Sequence, residues 1–268
     1  MIDKEIFLVM KNCHWLITNK IPLIHNLTNQ VTMQWVADVQ CAIHASPIMS
    51  TSLHELEDII HKAHALYVNI GTLTDEFLDH AFQAARLSKE KNIPIVLDPV
   101  GSGFTSYRTQ AALALAPYAT VIRGNASEVM ALCGQIHSPK GVDSTHTVDD
   151  AKANAIQLAK QLGCAVIITG QQDFICSTNE ESVFSFGSPM MRQIPGMGCA
   201  LGGVIAAFLS VTENTYQASL FAVLFYTLSA SFAAIECSLG QFRSALIDAL
   251  CAPNWEALER IFMQRGLT

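Results

Sequence analysis

Over the first two thirds of the chain, short apolar runs alternate with longer stretches of helical period. The runs at 23–27, 43–49, 65–70, 93–97, 120–123, 165–169, 174–177 and 182–186 have strand length and are mostly aliphatic. Between them, 32–40, 52–63, 74–90, 127–133 and 147–162 carry the spacing of helices. Residues 1–15 read as one more amphipathic helix. A βαβαβ order predicts a parallel sheet with helices on both faces. Thr178 to Glu181, between the last two runs, predicts a hairpin turn and so an antiparallel edge. The expected architecture is an α/β fold with a central, mostly parallel sheet, an antiparallel edge and helices on both faces, in one domain spanning 1–268.

Two later stretches complicate this picture. No charge falls between Glu213 and Glu236 or between Gln193 and Thr212, and the first of these runs is long enough to span a bilayer. It nevertheless contains Asn214, Thr215, Gln217 and Thr227, has acidic flanks, and lacks a Lys/Arg cluster to fix an orientation. Two buried core helices, partly covered by a neighbouring subunit, explain the pattern better than a membrane span. Charged residues make up only 15% of the chain, against roughly 25% in an ordinary soluble domain, which also points to surface covered by a partner. The net charge of −7 repels a phosphate backbone, so nucleic acid is not an expected partner. Eight cysteines without a CxxC pair or zinc-like spacing fit a reduced, cytoplasmic protein. The first residues have acids and no cleavable apolar run, so no signal peptide is expected.

In open α/β sheets, ligands bind beyond the carboxyl ends of the strands, so chemistry is sought just after each apolar run. Thr28, Asn29, Thr72 and Thr74 stand there, and helix capping is the simplest role for such residues. Met49 alone reads as core. Asp98, followed by Pro99 and Gly101, suits a metal ion beside an anion, although Asp-Pro also starts turns. Arg123, Gly124, Asn125 and Glu128 follow the fifth run. Asn125 and Glu128 have capping-box spacing, while Arg123 is a rare cation placed where a polyphosphate would lie. Thr169 and Gly170 end the sixth run. Gly196, Met197, Gly198 and Cys199 open an apolar helix, where main-chain amides form an anion site and a thiol is expected to titrate low.

Taken in order, the segments 27–33, 45–49, 69–74, 97–101, 121–128, 140–144 and 196–199 resemble the hydroxyethylthiazole kinase family, a branch of the ribokinase-like kinases. The resemblance implies a ribokinase-like fold and phosphorylation of the primary alcohol of 4-methyl-5-(2-hydroxyethyl)thiazole by ATP with Mg²⁺, a salvage step toward thiamine phosphate. It implies that Met49, Gly196 and Asn29 contact the thiazole, that Gly71 and Thr72 face a neighbour's substrate in a homotrimer with intersubunit sites, and that Arg123, Thr169, Asn125 and Gly198 serve ATP. Asp98 and Glu128 match acids associated with the metal, and Cys199 takes the catalytic position, aligning the alcohol. The family commonly has Thr at the position of Met197 and a Val-Thr or similar pair at Ile194-Pro195. Pro195 is therefore expected to stiffen the loop, and Met197 to remove a hydroxyl near the transferring phosphoryl group. A pyrimidine or sugar kinase on the same scaffold and a non-catalytic thiazole or nucleotide regulator are the alternatives. Few polar residues in the early loops could match sugar hydroxyls.

Overall fold

The computed structural model describes residues 2–134 and 147–267. Strands β1 (Leu23–Leu27), β2 (Ser46–Ile48), β3 (Ala65–Asn69), β4 (Ile95–Asp98), β5 (Val121–Gly124) and β6 (Ala165–Ile168) run parallel, and β7 (Asp173–Cys176) and β8 (Glu181–Phe184) add the antiparallel edge. The spatial order is β2-β1-β3-β4-β5-β6-β7-β8. From β1 the chain first steps outward to β2 and then back past β1 to β3. That reversal opens a crevice at the carboxyl edge, between the loops leaving β1 and β3.

Helices α1 (Ile2–Lys20) and α2 (Met33–Ala42) lie on one face of the sheet. Helices α3 (Leu56–Ile60), α4 (Asp75–Glu90), α5 (Ser106–Leu115), α6 (Ala126–Leu132) and α7 (Val148–Leu162) cover the other. The chain then returns to the first face as α8 (Met197–Leu209), α9 (Thr215–Ala233), α10 (Phe242–Cys251) and α11 (Trp255–Arg265). Strand alternation sorts the two cores. Tyr67, Val96, Val121 and Ile167 face α8, while Leu66, Val68, Ile95, Leu97, Ile122 and Ile168 face the opposite layer.

The uncharged run is thereby explained. Helix α9 is long and apolar enough to cross a membrane, but 83% of its apolar window is buried inside the fold. Helix α8 lies close on the sheet because its glycines permit it. A Cβ at Gly202 would stand 2.5 Å from Tyr67 Cζ, and one at Gly203 would stand 2.7 Å from Gln40 Nε2.

Two expected elements are shorter than the apolar pattern suggests. The run 43–49 yields only β2, because Ile43 closes α2 through a bond from its amide to Val39 O and His44 takes a positive φ of 65°. Pro47 is tolerated because β2 is an edge strand. The expected helix 52–63 contracts to α3, since the amides of Ser52 and His54 turn onto the hydroxyls of Ser50 and Ser52. The hairpin stands as expected, closed by Ser177 N donating to Glu180 O at 2.8 Å.

Candidate active site

The polar cluster forms where β1, β3, β4 and β5 end beneath the first turn of α8. Register places Asn69 beside Asp98 across β3 and β4. Asn69 Nδ2 donates to Asp98 Oδ2 at 2.8 Å and to the Tyr67 hydroxyl at 2.9 Å. That hydroxyl lies 3.0 Å from Asp98 Oδ2 and 2.8 Å from the Cys199 carbonyl, and its single proton serves one of them at a time. Arg123 Nη1 stands 3.4 Å from Asp98 Oδ2, and Nη2 bonds the Thr169 hydroxyl. Two atoms of this cluster are buried and have no hydrogen-bond partner among the described residues, Asp98 Oδ1 and Arg123 Nε.

The glycines at the entrance of α8 admit these groups. Gly196 has φ 91°, and a Cβ there would lie 2.8 Å from Thr32 Cγ2. A Cβ at Gly198 would lie 2.5 Å from Arg123 Nη2, so the guanidinium rests directly on the first turn of the helix. A cation on the positive end of a helix is unfavourable until an anion comes between or beside them. Asn29 joins this turn to the early strands. Its Nδ2 donates to Asn69 Oδ1 at 2.9 Å and to Cys199 Sγ at 3.4 Å, and its Oδ1 accepts from the Thr32 amide at 3.1 Å.

Burial sets the protonation states. It pushes the Asp98 carboxyl up, opposed by the Arg123 charge and by hydrogen bonds from Tyr67 and Asn69. It also drives Glu128 up to about 7, helped by the Asp98 charge and resisted by two backbone amides. Arg123 ends above its usual range, because Asp98, Glu128 and Cys199 outweigh desolvation. The Cys199 thiol is a correction to the sequence reading. Burial and the Asp98 charge raise it, and Thr32, Arg123 and Asn29 oppose that only in part, so it is held as a neutral thiol.

The remaining candidates lie at graded distances from this centre. Gly71 N bonds Asn69 Oδ1 at 3.0 Å, and Thr72 accepts from Gln30 N at 3.0 Å, tying the first and third loops together. Thr74 caps α4 as expected, accepting from Phe77 N. Asn125 and Glu128 complete a full capping box on α6. Glu128 also accepts from Gly101 N at 2.9 Å, so both its oxygens are already on backbone amides. Met49 is half-buried against the α8 core, on the loop after β2. That loop is held by His25 Nε2 at 3.0 Å from Ser50 O. The segment 140–144 lies outside the described residues. Among the described residues, no three His, Cys, Asp or Glu side chains converge into a metal cage.

Met197 is 4% exposed, with its sulfur 3.5 Å from the Tyr226 hydroxyl inside the core, so it does not line the crevice.

A model of the "Hydroxyethylthiazole kinase family" matches residues 15–255. A hydroxyethylthiazole kinase of Chlamydia caviae is 39% identical over 246 residues, covering 91% of this chain and 94% of that protein. The chain belongs to the hydroxyethylthiazole kinase family. One such kinase from Haemophilus influenzae is 38% identical over 250 residues, covering 91% of this chain and 94% of its own length. The structure of a Pyrococcus horikoshii hydroxyethylthiazole kinase superposes with a TM-score of 0.87 at 29% identity, over 97% of this chain and 98% of that one. Staphylococcus aureus pyridoxal kinase in complex with pyridoxal shares the fold, with a TM-score of 0.59 at 17% identity over 78% of this chain and 87% of that one. The kinase therefore has a ribokinase-like fold.

Within this kinase, three residues that the sequence reading did not single out complete the site. Tyr67 and Asn69 set the Asp98 oxygen in place. Asp173, 5% exposed at the start of β7, accepts from Gly170 N at 3.3 Å and is pushed up to about 7 by burial, a shift that the hydrogen bond and the Arg123 charge oppose. A polar residue at the very end of an otherwise apolar strand was the available signal for Asn69. Tyr67 and Asp173 carry none, because their roles depend on which strands become neighbours.

Proposed function

We propose that this kinase transfers the γ-phosphoryl group of ATP to the hydroxyl of 4-methyl-5-(2-hydroxyethyl)thiazole in thiamine salvage, as one cytoplasmic domain over 1–268. One observation carries the reading: the guanidinium of Arg123 lies on Gly198 at the start of α8 while Asp98 beside it keeps a buried oxygen unpartnered.

Phosphoryl transfer passes through a loose transition state, so catalysis is mostly positioning and charge stabilisation. The amides at the start of α8 and the Arg123 guanidinium hold the migrating group from two sides. Thr169 orients that guanidinium on the nucleotide side. Asn29 from the β1 loop and Cys199 from the first turn of α8 face the alcohol and align its oxygen with the phosphorus. The new O–P bond forms as the bond to the β,γ-bridging oxygen breaks, and ADP leaves. A neutral thiol is a poor base, so the hydroxyl proton passes late, to oxygens of the transferred group. Met49 and Gly196 border the thiazole ring.

The free oxygen of Asp98 suits a divalent cation, and Glu128 would reach one through water because its own oxygens are engaged. Bound there with ATP, Mg²⁺ would neutralise charge on the phosphates. Asn125 supports the site through Glu128.

Exposed apolar side chains favour a homotrimer with sites between subunits. Val31 (76%), Leu53 (42%) and Phe104 (49%) stand on loops that follow β1, β2 and β4 at the carboxyl edge. Light scattering is expected to give three times 29.2 kDa. Incubation with ATP, Mg²⁺ and the thiazole alcohol is expected to yield ADP and the phosphate ester together. Alcohol binding without ADP formation would contradict the proposal.

A further inference from the structure

The loop that leads into α8 is also held from outside the crevice. Arg243, in the first turn of α10, donates through Nη2 to the Pro195 carbonyl at 2.8 Å. Its guanidinium carbon stands 5.0 Å from the centre of the Trp35 ring. The same buried indole forms a wall of Gly196, where a Cβ would lie 3.2 Å from Trp35 Cδ1. One aromatic plate on α2 thus supports both the glycine and the arginine that grips its neighbour.

The carbonyl of Pro195 and the amide of Gly196 belong to one peptide plane. In a trans peptide they point in opposite directions, so a carbonyl fixed toward α10 turns the N–H away from it. That N–H makes no hydrogen bond among the described residues. The proline ring locks only its own φ, and the plane stays free to rotate about ψ of Pro195 and φ of Gly196. Arg243 blocks that rotation. A cationic donor on the carbonyl also draws charge across the amide and strengthens its N–H as a donor.

We propose that Arg243 is a positioning residue that fixes the Pro195–Gly196 peptide so that the Gly196 amide faces the transferring phosphoryl group. The inference rests on the kinase reading, and it concerns a residue that touches neither substrate. Arg243 and Pro195 are exposed, so the contact adds little to folding and its loss leaves the protein folded.

The test has two readouts. Arg243→Ala is expected to lower kcat about tenfold while KM for the alcohol stays within about twofold and the melting temperature holds. Arg243→Lys keeps a single-point donor and is expected to recover part of the loss, whereas Asp248→Asn, on the same groove wall, leaves kcat unchanged. In ¹⁵N-labelled protein, the Gly196 amide resonance is expected to shift with inorganic phosphate, and Arg243→Ala to abolish the shift. Unchanged kcat in Arg243→Ala, or a Gly196 resonance indifferent to phosphate in the unsubstituted protein, would overturn the inference. A phosphate shift that depends on Arg243 in a protein that does not phosphorylate the alcohol would instead leave the inference standing and remove the kinase reading.

Discussion

Two buried polar groups lie under the same helix, and they are built differently. Beneath Gly203, Asn26 and Gln40 exchange reciprocal amide bonds of 2.9 and 3.0 Å, and their remaining donors reach Ile24 O at 2.9 Å and Gly203 O at 3.3 Å. Beneath Gly198, Asp98 and Arg123 approach only to 3.4 Å, and each keeps an unpartnered atom. The first group is neutral and its donors are saturated. The second is charged and incomplete. A buried amide pair of the first kind fixes how helix and sheet dock, whereas unsatisfied buried charge is costly unless a ligand completes it. The difference separates scaffold from site within one α8–sheet interface.

Substitutions should pull these two roles apart. Arg123→Ala is expected to reduce kcat/KM for ATP about a thousandfold while the melting temperature changes little, because Asp98 can then take up a proton. A steady-state assay beside a thermal melt reads both. Gln40→Ala should do the reverse, costing about 3 kcal/mol in denaturant unfolding through an orphaned Asn26 and a cavity, with kcat per folded molecule unchanged. If Gln40→Ala lost activity without losing stability, the division would be wrong.

Smaller effects sharpen it further. Cys199→Ala is expected to cost at most ~100-fold in kcat, since a neutral thiol aligns the alcohol more than it accepts a proton. Asp173 tests the electrostatics through pH. Its carboxyl titrates near 7 in the folded chain, above the ordinary 3.8, so the native state keeps a proton that the unfolded state releases. Stability of the ligand-free protein should therefore fall as pH rises from about 4 to 7. Asp173→Asn should flatten part of that slope and stabilise the protein at pH 8 by about 2 kcal/mol, with Glu128 supplying a slope that remains. Met197→Leu should change kcat by less than about twofold, as a volume-conserving swap inside the core.

Much of the fold was legible because strand and helix periods differ and the turn residues 178–181 mark the edge. The boundaries near residues 43 and 52 were not, since Ile43 is apolar whether it ends a helix or starts a strand, and serine hydroxyls divert the backbone locally. In the site, Arg123, Asp98, Asn29 and Cys199 were visible as polar residues after apolar runs, and the structure brings them together. The state of Cys199 was misread because helix position was weighed without burial and without Asp98 below it. Tyr67 and Arg243 act through contacts that exist only once β3, α8 and α10 are assembled.

The most direct measurement follows phosphorus itself. With ATP, Mg²⁺ and the thiazole alcohol, the γ-phosphate signal in ³¹P NMR is expected to be replaced by a phosphomonoester in step with ADP, and Arg123→Ala to suppress both signals. Release of inorganic phosphate in place of the ester, or full turnover by Arg123→Ala, would contradict the account.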